Sequence, residues 1–191
     1  MAKSSDKFEI FYAKNRQEWH QWLVENHDTT SGIRLIYYKK NSDKPRVEYN
    51  DAVEEALSFG WIDSKANILD DERYMQVFTP RKPHSNWSKT NKIRVNKLIK
   101  NGLMQPAGME KVNAAKKDGS WTFLDNVEDM VIPEDLKQLL EENTTAKANF
   151  KAFSNSSKKQ ILYWIVSAKR QDTRLRRIKK TVGLASENKK P

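Results

Sequence analysis

Strand-like alternation in this chain is confined to the part before Pro80, and every later segment with an apolar pattern has the period of a helix. Phe8, Ile10 and Tyr12 alternate with polar neighbours, and the β-rich run Ile33 to Tyr38 follows Gly32. Trp61 to Ser64 and Arg73 to Thr79 are two further extended stretches, joined through Leu69, Asp70, Asp71 and Glu72 as in a hairpin or meander. Strands gathered at one end and helices at the other predict an α+β fold: a small antiparallel sheet packed with helices, followed by a C-terminal helical subdomain. The acidic stretch Asp125 to Asp129 before Pro133 sets the expected boundary, giving an α+β domain over 1–125 and the helical subdomain over 130–191.

Helix signals fill the gaps between strands. Asn15 with Glu18 starts a helix over 16–26 whose face carries Trp19, Trp22 and Leu23. Asn50 or Asp51 caps the next, with Ala52, Val53, Ala56 and Leu57 inside, Glu54 and Glu55 as charges near its positive end and Gly60 as its stop. Ser88 begins a third, with Ile93, Leu98 and Ile99 as its apolar stripe and Gly102 at its end. Pro106 opens a fourth that runs through Ala115, after which Gly119 and Ser120 break the pattern and Trp121 and Phe123 dock on the core. Beyond Pro133, Leu136, Leu139 and Leu140 mark one helix and Phe150 with Phe153 a second. Ser154 caps a third containing Ile161, Leu162, Ile165 and Val166, and a fourth starts near Asp172 with Leu175, Ile178 and Val182. The first and last five residues lack apolar periodicity and read as frayed.

Charge narrows the function. The net charge is +10, and it is concentrated: Arg81 to Lys100 holds seven basic residues and no acid, and Lys151 to Lys180 holds ten against Asp172 alone. Excess positive potential attracts polyanions. The absence of cysteine excludes disulfides, thiolate metal sites and a cysteine nucleophile, and His20, His27 and His84 lack the spacing of a helical zinc pair, so no metal and no cofactor is expected. No apolar h-region opens the chain and no run of eighteen apolar residues occurs, which points to the cytoplasm.

Two constellations carry candidate chemistry. In Arg73 to Asn91, strand alternation leads into a loop bracketed by Pro80 and Pro83 that ends at a helix N-terminus. Backbone N–H groups there, with Arg81, Lys82, Trp87, Ser88 and Asn91, form a cradle for phosphate or carboxylate. In the alternative reading Ser88 only caps its helix, Trp87 staples the loop and the cations are solvated. In the second constellation Arg170, Arg174 and Arg177 fall at i, i+4, i+7, a row suited to a phosphate backbone, with Tyr163 and Trp164 nearby for stacking unpaired bases. Its alternative is an arginine-rich solvated helix. Asp63, close to Trp61, Tyr74 and Gln76 in the expected strands, pairs with Arg73 or Arg81 or serves as an acid or base.

The blocks Asp51 to Leu57, Phe59 to Ser64, Arg73 to Arg81, Trp87 to Asn91, Pro106 to Gly108 and Ser167 to Arg174, in that order, resemble the bacterial YdeI/OmpD-associated family, also labelled bacteriocin-protection proteins. The resemblance covers nearly the whole chain. It implies a link to stress or bacteriocin tolerance and brings no catalytic residues.

Three functions follow as expectations. The first is a non-catalytic binding module in which the Arg81 group and the Arg170 row line one cleft for nucleic acid or another polyanion. The second is an enzyme acting on a small phosphorylated or carboxylated substrate, with Asp63 as base or orienter and Tyr74 and Arg81 as contacts. The third is an adaptor whose basic face meets an acidic protein or an anionic membrane surface.

Overall fold

The structure, a computed structural model, describes residues 8–191. The reading of a frayed, leaderless N-terminus lies outside these residues. The chain forms two compact units, one ending at Thr122 and the other beginning at Phe123.

The first unit is built on a mixed sheet of strands β1 (Glu9–Tyr12), β2 (Ile33–Tyr38), β3 (Trp61–Asp63), β4 (Asn67–Ile68) and β5 (Arg73–Pro80), in the order β1-β2-β5-β3 with β4 also on β5. The pairings made by β5 are antiparallel, whereas β1 and β2 run parallel. A parallel pair needs a crossover connection, and helix α1 (Arg16–Asn26) supplies it. Leu35, Tyr37 and Phe78 from the sheet bury completely with Trp19 and Leu23 of α1 and Ala52 of helix α2 (Tyr49–Ser58). Two of the buried indoles find acceptors here: Trp19 donates to the Ala52 carbonyl and Trp61 to that of His27, both at 3.0 Å.

Helix α2 starts at Tyr49, with Glu48 at the N-cap position and no side-chain cap, rather than at Asn50 or Asp51. The reason is tertiary. Val47 is fully buried and its amide donates to the Ala13 carbonyl at 3.1 Å, so the chain is pinned extended up to the helix start. Asn50 and Asp51 are thereby free for Arg94 and Arg16, at 2.8 and 3.0 Å. Gly60, at φ +78°, ends the helix as expected and turns the chain into β3.

Helices α3 (Lys89–Lys100) and α4 (Pro106–Asp118) complete the unit. Ser88 caps α3 by accepting from the Asn91 amide at 3.2 Å, but the buried stripe consists of Val95 and Leu98, while Ile93 and Ile99 are exposed. Helix α4 approaches the end of α2 so closely that a Cβ on Gly108 would lie 2.1 Å from the Ser58 carbonyl oxygen. Trp121 packs against this core, whereas Phe123, expected to dock as well, is exposed.

The second unit comprises α5 (Asp125–Glu128), α6 (Glu134–Glu141), α7 (Thr144–Ala152), α8 (Asn155–Val166) and α9 (Gln171–Ser186) around Leu136, Leu140, Phe150, Leu162, Ile165 and Ile178. Asn143 and Ser154 cap α7 and α8 through the amides of Ala146 and Ser157. Leu175, expected inside, is exposed. The last five residues do not fray at once: the amides of Glu187, Asn188 and Lys189 return to the carbonyls of Leu184 and Ala185. Among the described residues no helix is long and apolar enough to cross a membrane.

Candidate anion site

Where β5 ends, the Arg81 amide donates to the Gly60 carbonyl at 2.9 Å, and its side chain turns into the protein. The guanidinium lies 3.7 Å above the Trp87 ring and gives one hydrogen bond, Nη1 to the Asn86 carbonyl at 3.1 Å. The residue is only 3% exposed, and its Nε and Nη2 have no partner. Burial pushes its pKa down to about 10, against the opposing pull of the Asp63 carboxylate, so it remains a cation at neutral pH. A buried, incompletely bonded charge costs several kcal/mol. Stacking on indole offsets about 2 kcal/mol of that, which leaves a deficit that an anion beside the ring would relieve.

Arg81 forms part of the wall of a cavity of about 140 Å³, with Lys82, His84, Ser85 and Trp87 from the loop and Lys111, Asp118 and Ser120 from α4 and its end among the other lining groups. Two carboxylates, Glu110 and Asp118, also line the cavity; Asp118 is already engaged, accepting from the amides of His84 at 3.2 Å and Ser120 at 2.8 Å. His84 sits at φ +58°, a left-handed conformation rarely adopted by a residue other than glycine, which bends the loop over the cavity. The buried Ser120 hydroxyl lies against Asp118 and, with the Ser120 and His84 amides, holds that carboxyl below its ordinary value.

Of the sequence candidates, then, Arg81, Lys82 and Trp87 come together in one cavity. Ser88 and Asn91 are engaged at the start of α3, Ser88 as its cap and Asn91 as acceptor from Arg94 at 3.1 Å. Trp61 is sealed in the core, and Tyr74 stacks on Tyr37 with ring centres 4.8 Å apart. Asp63 accepts from Gln76 at 3.2 Å and Tyr49 at 3.3 Å, while Arg73 pairs with Asp70 at 2.6 Å and not with Asp63.

The arginine row belongs to the second unit. Arg170 is the N-cap residue of α9 and exposed. Arg174 clamps Asp135 bidentately, at 2.6 and 2.9 Å. Arg177 reaches the Trp164 carbonyl and the Ser167 hydroxyl, and lies with Lys180 over the Trp164 ring.

Sequence reasoning missed Lys111 and Ser120, for which the chain gives no local signal; the Gly108 contact brings α4 to the loop. It also misplaced Glu54 and Glu55. Both are buried in the middle of α2 and converge on Arg16, at 3.3 and 2.6 Å, with Lys97 on Glu54 and His20 on Glu55. Partial burial works against the Arg16 charge, but Glu55, Asp51 and Glu54 outweigh it and hold its pKa above the usual arginine value.

A family model described as a domain of unknown function (DUF8412) matches residues 11–111, more than half of the chain, and one described as bacteriocin-protection, YdeI or OmpD-associated matches residues 129–188. The chain belongs to the DUF8412 family and carries a YdeI/OmpD-associated domain. The blocks from Asp51 to Gly108 on which the resemblance mainly rested lie in the DUF8412 match, as do Arg81 and Trp87, whereas Arg170, Arg174 and Arg177 lie in the YdeI/OmpD-associated match. Comparisons with curated proteins and with solved structures return no match.

Proposed function

We propose that the DUF8412 part of this chain is an anion-binding module, whose ligand presents a phosphate or carboxylate group to the cavity beside Arg81. The observation that carries this reading is the Arg81 guanidinium itself: cationic, buried, and short of two hydrogen bonds at a cavity wall. Interiors pair their charges, and a ligand oxyanion accepting from Nε and Nη2 would complete the fork that arginine offers to planar or tetrahedral oxyanions. Lys82 and Lys111 in the lining add positive charge, set against Glu110 and Asp118. The cavity suits one small group, such as a phosphate monoester terminus, more than a strand of nucleic acid.

The same reading treats the α+β and helical parts as separate domains of a cytoplasmic protein. It gives the exposed cations of α9, Arg170 foremost, the role of meeting a phosphate-rich partner such as nucleic acid.

Calorimetric titration with inorganic phosphate, a nucleoside monophosphate and citrate, each at matched ionic strength, tests the module. Saturable binding of at least one, weakened about tenfold by Lys111→Gln as one lost charge-assisted contact implies, supports it. No binding by any of the three contradicts it.

A further inference from the structure

The helical unit carries a second site of different chemistry. A groove of about 350 Å³ is lined by Met130, Ile132, Leu140 and Phe150, with Lys137, Lys147, Lys151 and Lys158 around them and Glu141 as the sole acid of the lining. Leu140 and Phe150 are the buried ends of the unit's core, so the floor is apolar and rigid. Met130 and Ile132 of the lining belong to the run Met130, Val131, Ile132 between α5 and α6, and all three are exposed, Val131 by half. Three consecutive exposed apolar residues are unusual on a surface with no partner. Met130 is moreover held at φ +57°, with its amide donating to the Val127 carbonyl at 3.1 Å and that of Val131 to Asn126 at 2.8 Å. A long side chain in the left-handed region is a strained placement, of a kind found where function calls for it.

The lysines decide what fits. Lys147 pairs with Glu141 and Lys137 with Glu134 at 3.5 Å, while Lys151 and Lys158 have no carboxylate within ion-pair reach among the described residues. With Lys137 and Lys147 already paired, Lys151 and Lys158 are the two cations of the lining left without a carboxylate, which favours a ligand with at least two negative charges, and the apolar floor requires two or three hydrophobic groups beside them. A second copy of this chain would bring like charges together across such a face. A single-headed carboxylate amphiphile would match only one of these two cations. We infer that the groove docks an amphipathic acidic peptide segment of a partner protein, with apolar anchors over Leu140 and Phe150 and carboxylates over the lysine rim.

Fluorescence anisotropy with a labelled helical peptide about four turns long, leucines along one face and glutamates flanking them, tests this on the full chain. The expected result is saturable binding that falls at least tenfold in Lys151→Glu/Lys158→Glu, surface changes that leave the core intact. A similar fall is expected in Met130→Gln/Ile132→Gln. Circular dichroism of each variant separates loss of binding from loss of fold. Failure to bind at about 1 mM peptide would overturn the inference. So would equal binding of a scrambled peptide of the same composition, equal binding by both variants, or displacement of the peptide by laurate at equal concentration.

Discussion

Arg174 of the helical unit and Arg81 of the α+β unit are held in opposite ways. In the helical unit Arg174 meets Asp135 with two short hydrogen bonds, and both side chains remain partly exposed. In the α+β unit Arg81 is almost wholly buried, stacked on Trp87 and bonded to a single carbonyl. Paired, half-solvated charge is cheap and structural. Unpaired, buried charge opposes folding, and its retention beside a cavity is what the proposed ligand role accounts for.

Substitutions can break or sharpen this contrast. The largest expected effect is that of Trp87→Ala, which removes a fully buried indole and the surface on which Arg81 rests. It should destabilise the protein by about 4 kcal/mol in urea denaturation. A loss below about 1 kcal/mol would mean that Trp87 is no anchor. Next comes Gly108→Ala, whose Cβ would collide with the Ser58 carbonyl; it should cost about 2 kcal/mol and loosen α4 from the cavity, seen as faster amide exchange at Lys111 to Ala115.

Asp135→Asn should be milder, about 1 kcal/mol at neutral pH, read from hydrogen exchange along α9. Its pH dependence has a defined sign. The hydrogen bonds from Arg174 hold the Asp135 carboxyl below its ordinary value in the folded state. The stabilisation is therefore complete above the unfolded pKa of about 4 and is lost as pH falls through the depressed folded value. Wild type and Asp135→Asn should converge in strong acid; a constant difference down to low pH would contradict the pairing. Smallest is Arg170→Gln, with a stability change under about 0.5 kcal/mol. If the exposed cations of α9 meet nucleic acid, it should reduce the salt slope of that binding by about one.

Much of the fold was legible because its signals are local. The Asn15 and Ser88 caps, the Gly60 and Gly102 stops and the strand alternation before Pro80 depend on residues a few positions apart. What was not legible depends on distant contacts. The parallel pairing of β1 with β2 is set by the crossover, the early start of α2 by the burial of Val47, and the inward turn of Glu54 and Glu55 by Arg16. The site divides in the same way. Arg81, Lys82 and Trp87 stand out in one short, acid-free loop, but their cavity is closed by α4, which no spacing in the sequence could announce.

The most direct test is the unfolding free energy of Arg81→Met with and without saturating inorganic phosphate. Methionine keeps the contact with Trp87 and removes the unpaired charge. The substituted protein should be at least as stable as wild type without phosphate and should gain nothing from it, while wild type at a hundred times Kd gains about 2.7 kcal/mol. A variant that is destabilised by several kcal/mol yet stabilised by phosphate as much as wild type would make Arg81 a structural residue and contradict the account.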